Sequence, residues 1–238
     1  NTYNRTVAPD NLRYDKFLKG YEPNAAFKPT VTRGLAEEYL QLLANRSELH
    51  RTFSSVALPQ GNTEVLAPPL RPVSPELLRP LLQAAREQQR LEVDYVSLNN
   101  PNREGRISAP HTLVWTGTRW HVRGWCEKNQ GFRDFVLSRF RGTPELLGPT
   151  TQCSDDDQDW HKTIEIILKP DQRLSEEQQD VVAKDFGMNQ GQLCVLVRAR
   201  LANYLLQLLN IHTGEALSDP KAQQVIIANR ANITAWLF

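Results

Sequence analysis

The pattern of hydrophobic positions changes its period near residue 90. Before that point apolar residues recur every three or four positions, whereas between 91 and 147 they alternate with polar residues. The first repeat predicts amphipathic helices, and the alternation predicts half-buried strands. Helices are therefore expected at 34–51 and at 75–89, and Ser74 followed by Pro75 is a typical start for the second.

Five short strands are predicted between residues 91 and 147. Turns are expected at 99–102, 116–118 and 127–131, where asparagine, proline or glycine interrupts the alternation. Five short strands within fewer than 60 residues predict a small β-barrel.

The last part of the chain predicts three strands that alternate with two helices. The strands are expected at 163–168, 193–198 and 225–228, and the helices at 175–186, capped by Ser175, and at 201–212. This order is typical of an α/β sandwich. Four acidic residues precede it and are expected to form a solvated connector: Asp155, Asp156, Asp157 and Asp159.

The start of the chain predicts a hairpin and then a linker. Residues 11–22 place apolar and aromatic residues around a charged turn that ends in Gly20, and Pro23 follows. Six prolines between 58 and 80 interrupt regular structure and indicate a linker.

Composition indicates one large or two small folded domains. The chain has 238 residues, 40% of them hydrophobic, and a formal charge of +1. Its longest apolar-looking stretch without charges, 201–214, is only fourteen residues long, so no membrane span is expected. Three widely spaced cysteines fit neither a disulfide framework nor a zinc knuckle, which favours the cytoplasm. The chain lacks an initiator methionine and a signal peptide, so a fragment of a longer protein is expected.

Positive charge and aromatic residues concentrate in residues 103–141. Seven arginines and one lysine stand there against three acids, a net charge of about +5, together with three of the five tryptophans. Arginine interleaved with aromatics suits phosphates and stacked bases. A packed β-domain with solvated or paired arginines is the competing interpretation.

Alternation along two neighbouring strands predicts two arginine-bearing faces. One face carries Arg119, His121, Arg123 and Trp125, and the other carries Arg133, Phe135, Leu137, Arg139 and Arg141. If these faces adjoin, the like charges are tolerated most easily when an anion bridges them.

A known family has a similar arrangement of residues. The similarity lies in Tyr95-Val96-Ser97, Ala109-Pro110-His111, the run from Arg119 to Cys126 and the run from Phe132 to Phe140. This pattern resembles a WYL domain, although Trp120-His121-Val122 keeps only the tryptophan of the signature Trp-Tyr-Leu triplet. The Trp-His-Val-Arg form is similar to bacterial repressors encoded beside phage-defence operons of the BREX and CBASS kinds.

The resemblance implies an α+β protein with a defined domain order. It implies an N-terminal winged helix-turn-helix, a linker, a WYL barrel of Sm/SH3-like fold, a C-terminal α/β extension and a homodimer. Residues 11–22 resemble the wing, and the recognition helix is expected upstream, so this fragment alone should bind operator DNA poorly. The expected boundaries are 1–25 for the wing, 26–73 for the linker with its amphipathic helix, 74–148 for the barrel, 149–162 for the acidic linker and 163–238 for the extension.

The resemblance also implies a sensor pocket for a nucleic-acid fragment or a nucleotide. The matched positions are Tyr95, Ser97, His111, Trp120, His121, Arg123, Arg133, Phe135 and Arg139. Guanidinium groups can bind phosphate while aromatic faces stack a base. Structural roles stay open, such as ion pairs for the arginines, core packing for Trp120 and a satisfied buried hydroxyl for Tyr95.

In the wing, Arg13, Lys16 and Lys19 are candidate contacts to DNA phosphates, although charged hairpin tips are common. The sequence thus predicts a transcriptional repressor bound to operator double-stranded DNA. A non-regulatory single-stranded nucleic-acid-binding module is the alternative.

Catalytic interpretations are weaker. No phosphate-binding glycine loop, dinucleotide fingerprint or metalloprotease helix occurs, so no cofactor is expected. A hydrolase would need Cys126 beside His111 or His121, yet a lone cysteine at a strand end is usually a small buried residue. The acidic residues and His161 lack the spacing of a calcium loop, so no metal is expected.

Overall fold

The computed structural model describes residues 2–52, 64–66, 68–69, 71–214 and 217–237, with the backbone alone for 46–52. The chain divides into two compact units, residues 1–68 and 69–238. Among the described residues, no helix is both long enough and apolar enough to cross a bilayer.

The first unit contains a hairpin and a helix. Strands β1 (Leu12–Asp15) and β2 (Gly20–Pro23) pair antiparallel, and helix α1 spans Ala36–Thr52. The buried side chain of Asn11 secures the base of the hairpin, because its amide donates to the Lys28 carbonyl at 2.6 Å and accepts from the Lys28 N–H at 3.0 Å. The predicted hairpin and first helix are therefore confirmed.

The second unit begins with helix α2, Pro75–Glu87. The Ser74 hydroxyl accepts from the Leu77 N–H at 3.3 Å, which confirms the predicted N-cap. Leu77, Leu81 and Ala84 lie one helical turn apart and are buried against the sheet that follows.

Five antiparallel strands form this sheet, as predicted. They are β3 (Gln89–Tyr95), β4 (Glu104–Trp115), β5 (Trp120–Cys126), β6 (Gly131–Val136) and β7 (Phe140–Pro149). Their spatial order is β6-β5-β4-β3-β7, which leaves β6 and β7 at opposite edges. No pairing joins these edges among the described strands, so the closed Sm/SH3-like barrel that the sequence predicted is not found.

The strand that the alternation predicted at 133–141 is interrupted in the structure. Strand β6 ends at Val136, and a 3₁₀ turn, Leu137–Arg139, separates it from β7. The chain must turn here because β6 and β7 occupy opposite edges of the sheet. Because the strand is interrupted between them, Arg133 and Arg139 do not share a face of the sheet. The predicted second arginine face is therefore wrong beyond Val136.

A short connector and a second layered module complete the unit. The connector holds a 3₁₀ turn, Ser154–Asp156, and helix α3, Gln158–His161. The module comprises β8 (Thr163–Pro170), α4 (Glu176–Asp185), β9 (Leu193–Arg198), α5 (Ala202–Leu208), β10 (Val225–Ile227) and α6 (Arg230–Ile233). Its antiparallel sheet has the order β10-β8-β9 and packs on α4 and α5 through its own hydrophobic core. The predicted order of strands and helices is confirmed, and α6 is an addition.

Candidate functional site

The predicted arginine face of β5 is covered rather than open to solvent. His121 and Arg123 are each 2% exposed. The ring of His121 lies 4.9 Å from that of Tyr204 on α5, and Arg123 contacts the connector before β8. Both faces of β5 are therefore buried in the middle of the strand, because Val122 points into the core on the other side.

Arg123 joins three segments through charged hydrogen bonds. Its guanidinium donates to both carboxylate oxygens of Asp157, at 2.5 and 3.0 Å, and to Asp134 at 2.9 Å. Asp134 is the direct cross-strand neighbour of Arg123, so the predicted side-by-side arginines do not occur there. Asp157 is buried, so the prediction of a fully solvated connector is wrong at this residue.

His111 reaches the same carboxylate through a bulge in β4. The register of β4 against β5 shifts between Pro110 and Thr112, which leaves His111 as the additional residue. Its Nε2 lies 3.2 Å from Oδ2 of Asp157. Gly124 is required opposite this bulge, because a Cβ there would lie 2.5 Å from the Ala109 carbonyl oxygen.

Burial and charge set the protonation states in this network. Burial acts to raise the pKa of Asp157, but its hydrogen bonds and ion pair with Arg123 outweigh burial and lower the pKa. The pKa of His111 is lowered chiefly by burial, although the Asp157 carboxylate opposes that effect. The arrangement therefore keeps Asp157 and Arg123 charged and favours neutral His111 at neutral pH.

His121 lies in a positive environment. Burial and then the charge of Arg119 lower its pKa to about 4, so the ring is neutral at pH 7. Its Nδ1 has no hydrogen-bond partner within the described part of the chain.

Three further predicted site residues have evident structural contacts. Tyr95 and Phe135 are buried in the core with their rings 5.2 Å apart, and the Tyr95 hydroxyl accepts from the Val136 N–H at 3.1 Å. Ser97 lies in a turn, where its hydroxyl accepts from the Asn100 N–H at 3.0 Å. These contacts are those of packing and turn residues.

Three other predicted residues remain accessible. Trp120 is 45% exposed and lies 5.3 Å from the ring of Trp115. Arg133 is exposed and Arg139 is half-buried. Within the described residues, neither arginine side chain makes a hydrogen bond or an ion pair, so both guanidinium groups are available to an anion.

A cleft of about 220 Å³ lies between the β4–β5 turn and α5. The sequence patterns identified Arg119 on an arginine face and the adjacent turn at 116–118, but they did not assign the other lining residues to a site, because most of these come from distant segments. Those residues are Arg71, Thr116, Thr118, Tyr204, Gln207 and Leu208.

The candidate catalytic and metal residues have other partners. The Cys126 thiol is buried and donates to Asn129 at 3.1 Å, while His121 points to the opposite face of β5. Asp156 accepts from the Cys153 N–H, and Asp159 pairs with Arg200. No cluster of three or more metal-ligating residues occurs in the described ranges.

The hairpin presents basic and apolar side chains at its tip. Arg13 pairs with Glu22 at 3.0 Å, whereas Lys16 and Lys19 are exposed in the turn between the strands. Phe17 is 99% exposed between these lysines, a feature that the charge-based prediction did not use.

Three family models match the chain in succession. The winged helix-turn-helix domain of the BrxR transcriptional regulator matches residues 1–45, the WYL domain matches 76–143, and the C-terminal dimerization domain of BrxR matches 163–233. This order is that of a WYL-domain transcriptional regulator.

Curated relatives identify the family more narrowly. The chain is 32% identical over 97% of its length to the DNA-binding transcriptional repressor CapW of Escherichia coli strain KTE188 and covers 77% of that protein. It is also 32% identical to CapW of Pseudomonas aeruginosa, over 95% of this chain and 76% of that protein. The chain belongs to the CapW family of WYL-domain regulators.

A solved structure was also found. Proteasome accessory factor B/C of Arthrobacter aurescens matches 82% of this chain and 31% of its own, at 16% identity and a TM-score of 0.33.

Proposed function

We propose that this chain is a cytoplasmic, homodimeric, DNA-binding transcriptional repressor of a bacterial phage-defence operon. The observation that carries the proposal is its 32% identity to CapW repressors over 97% of the chain. These relatives are named as repressors rather than enzymes, and two of the three family models are named as domains of a transcriptional regulator, so we propose no catalytic activity.

The hairpin tip is the proposed wing contact to DNA. Lys16 and Lys19 can reach phosphate oxygens, and Arg13 can exchange its Glu22 partner for a phosphate. Exposure of Phe17 between the lysines suits insertion of an apolar side chain into a groove. We therefore assign Phe17 to the same contact.

A homodimer is supported by the match of residues 163–233 to a dimerization domain. A two-fold dimer presents two wings, so its operator should be an inverted repeat whose half-sites are about one helical turn or a multiple apart.

A phosphate-bearing effector, a nucleic-acid fragment or a nucleotide, is proposed to control operator binding through the WYL sheet. The unpaired guanidinium groups of Arg133 and Arg139 support this role, as does the exposed ring of Trp120. A hundredfold change in operator affinity requires about 2.7 kcal/mol of coupling between effector binding and operator binding. Two or three charged contacts to the effector that form in only one domain arrangement can supply this free energy.

The test of DNA binding uses duplexes recovered from cells by cross-linking to the protein. Replacing Lys16 and Lys19 with alanine should weaken binding in fluorescence anisotropy. It should also reduce the slope of log affinity against log salt by about 1 for each phosphate that is no longer neutralised. Lys184→Ala, an exposed lysine paired with Asp180, is the matched control. Equal weakening by the control, or an unchanged slope in the wing variant, would contradict the assigned contact.

The same duplexes separate a repressor from a non-regulatory single-stranded nucleic-acid-binding module. A repressor should prefer one duplex sequence over scrambled duplex by about 10³ or more at physiological salt. A module of the second kind would prefer single strands and show no such sequence ratio.

A further inference from the structure

The cleft between the β4–β5 turn and α5 has a fixed floor. The N–H and the hydroxyl of Thr116 both donate to the Arg119 carbonyl, at 3.2 and 3.0 Å, which closes the turn. Gly117 has a φ of +84°, and a Cβ there would lie 2.5 Å from Cδ1 of Leu208. The turn therefore packs directly on α5, and this contact holds the backbone of Arg119 in place.

Two cationic side chains line the cleft without a counter-ion. Within the described residues, neither Arg71 nor Arg119 makes an ion pair or a side-chain hydrogen bond, and no acidic residue lines the cleft. The nearby carboxylate of Asp134 accepts from the Tyr204 hydroxyl at 3.4 Å, but it is already paired with Arg123. The cleft thus has excess positive charge.

The charges around His121 are consistent with a positive field behind the cleft. After burial, the charge of Arg119 is the largest influence that lowers its pKa, and Arg139 and Arg71 act in the same direction. Asp134 opposes them only in part. Two or more guanidinium groups that face one small space are best accommodated when an anion lies between them.

We propose that this cleft binds a terminal phosphate group through Arg71 and Arg119. Its volume of about 220 Å³ suits one phosphate with part of the group attached to it rather than a whole nucleic-acid strand. Gln207 and Thr118 add neutral donors, and a dianionic phosphate monoester can use more donors than an internal phosphodiester. The inference rests on the effector proposal above and adds a separate place, apart from Arg133 and Arg139, that holds the terminal phosphate of the effector.

The position of the cleft gives the bound phosphate a regulatory role. Arg119 lies within the matched WYL domain, whereas Tyr204 and Gln207 lie within the matched dimerization domain. A phosphate held by Arg119 and Gln207 therefore bridges the two domains. Ligand binding would favour the arrangement in which Arg119 and Gln207 are close together. A ligand that binds one arrangement more tightly than another shifts the equilibrium between them, which is how it would change operator affinity.

Isothermal titration calorimetry of the 238-residue chain tests the site with adenosine 5′-monophosphate, adenosine and inorganic phosphate. The monophosphate should bind, adenosine should bind at least tenfold more weakly, and phosphate should compete with the monophosphate. Arg119→Gln and Arg71→Gln should each weaken binding of the monophosphate at least tenfold. Arg79→Gln, at an exposed arginine of α2 outside the cleft, should leave it unchanged. Absence of monophosphate binding, equal binding of adenosine, or equal weakening in the Arg79 variant would overturn the proposal.

A second pair of probes tests whether the terminal phosphate can belong to a nucleic-acid strand as well as to a free nucleotide. A short DNA strand with a 5′-phosphate should bind in place of the monophosphate, and the same strand with a 5′-hydroxyl should not. Equal binding of both strands would show recognition of internal phosphates and would overturn the terminal-phosphate assignment.

Operator affinity without effector keeps this inference separate from the proposed function. In the full-length protein, Arg119→Gln should bind operator duplex as tightly as the unmodified protein, since the cleft is not the proposed wing contact. A variant that loses phosphate binding but keeps operator binding supports the cleft assignment. Absence of operator preference in the unmodified full-length protein would contradict the repressor proposal instead.

Discussion

The Arg123 guanidinium spans Asp134 and Asp157, so the sheet and the connector are joined by a charge that is 2% exposed. Loss of the Asp157 charge leaves this buried guanidinium with Asp134 as its only carboxylate and weakens two of its three charged hydrogen bonds. Asp157→Asn should therefore lower the free energy of unfolding by roughly 3–5 kcal/mol. Urea denaturation followed by tryptophan fluorescence measures this change.

Asp155→Asn is the matched control for that experiment, because Asp155 is an exposed neighbour outside the Arg123 network. It should change stability by less than about 0.5 kcal/mol. Similar midpoints for the two variants would show that the buried pair contributes little.

The neutral state of His121 predicts a loss of stability on acidification. Its folded-state pKa of about 4 lies below the ordinary value of 6.5, so the unfolded chain binds a proton first as the pH falls. The stabilisation of the folded chain by neutral His121 is complete above pH 6.5. It decreases by roughly 3 kcal/mol as the pH falls from 6.5 to 4. Arg71, Arg119, Arg139 and Asp134 are the charges that act on the ring.

His121→Gln tests this assignment, because glutamine does not titrate. The variant should show a shallower pH dependence of unfolding free energy across that window, and the remainder should come from His111, whose pKa is also lowered. An unchanged slope would mean that His121 already titrates near its ordinary value in the folded chain.

At the scale of elements, Gly117 tests the contact between the β4–β5 turn and α5. Both Gly117 and Gly148 have positive φ, +84° and +93°, but only Gly117 faces a side chain. Gly148→Ala therefore measures backbone strain alone, and Gly117→Ala adds a clash with Leu208. The Gly117 variant should be more destabilised by about 1–3 kcal/mol, as measured by thermal unfolding.

Removal of the Leu208 side chain should relieve that difference. Gly117→Ala combined with Leu208→Ala should cost less than the two single changes added together. Strict additivity would contradict the contact.

Elements that depend on local signals were predictable, and those that depend on sheet topology were not. The Ser74 cap, the five strands and the Ser175 cap of α4 follow from neighbouring residues. The bulge at His111 and the turn at 137–139 follow from pairing with distant strands. Alternation alone therefore assigned faces correctly along β5 but not beyond Val136.

At the scale of the whole molecule, the chemistry of the site depends on segments that are far apart in sequence. Residue types indicated the family and a preference for phosphate, and the comparisons confirmed the family. Arg71, Arg119 and Tyr204 line one cleft although more than 80 residues separate the last two. Likewise, Asp157 belonged to an acidic run that composition made look solvated, and only its pairing with Arg123 shows otherwise.

The most direct test of the repressor proposal is RNA sequencing of cells whose chromosomal gene carries alanine at Arg13, Lys16 and Lys19. Loss of these wing charges should raise the transcripts of a small set of adjacent defence genes about as much as deletion of the gene does. Unchanged transcripts in both the variant and the deletion strain would contradict the claim that this chain represses transcription.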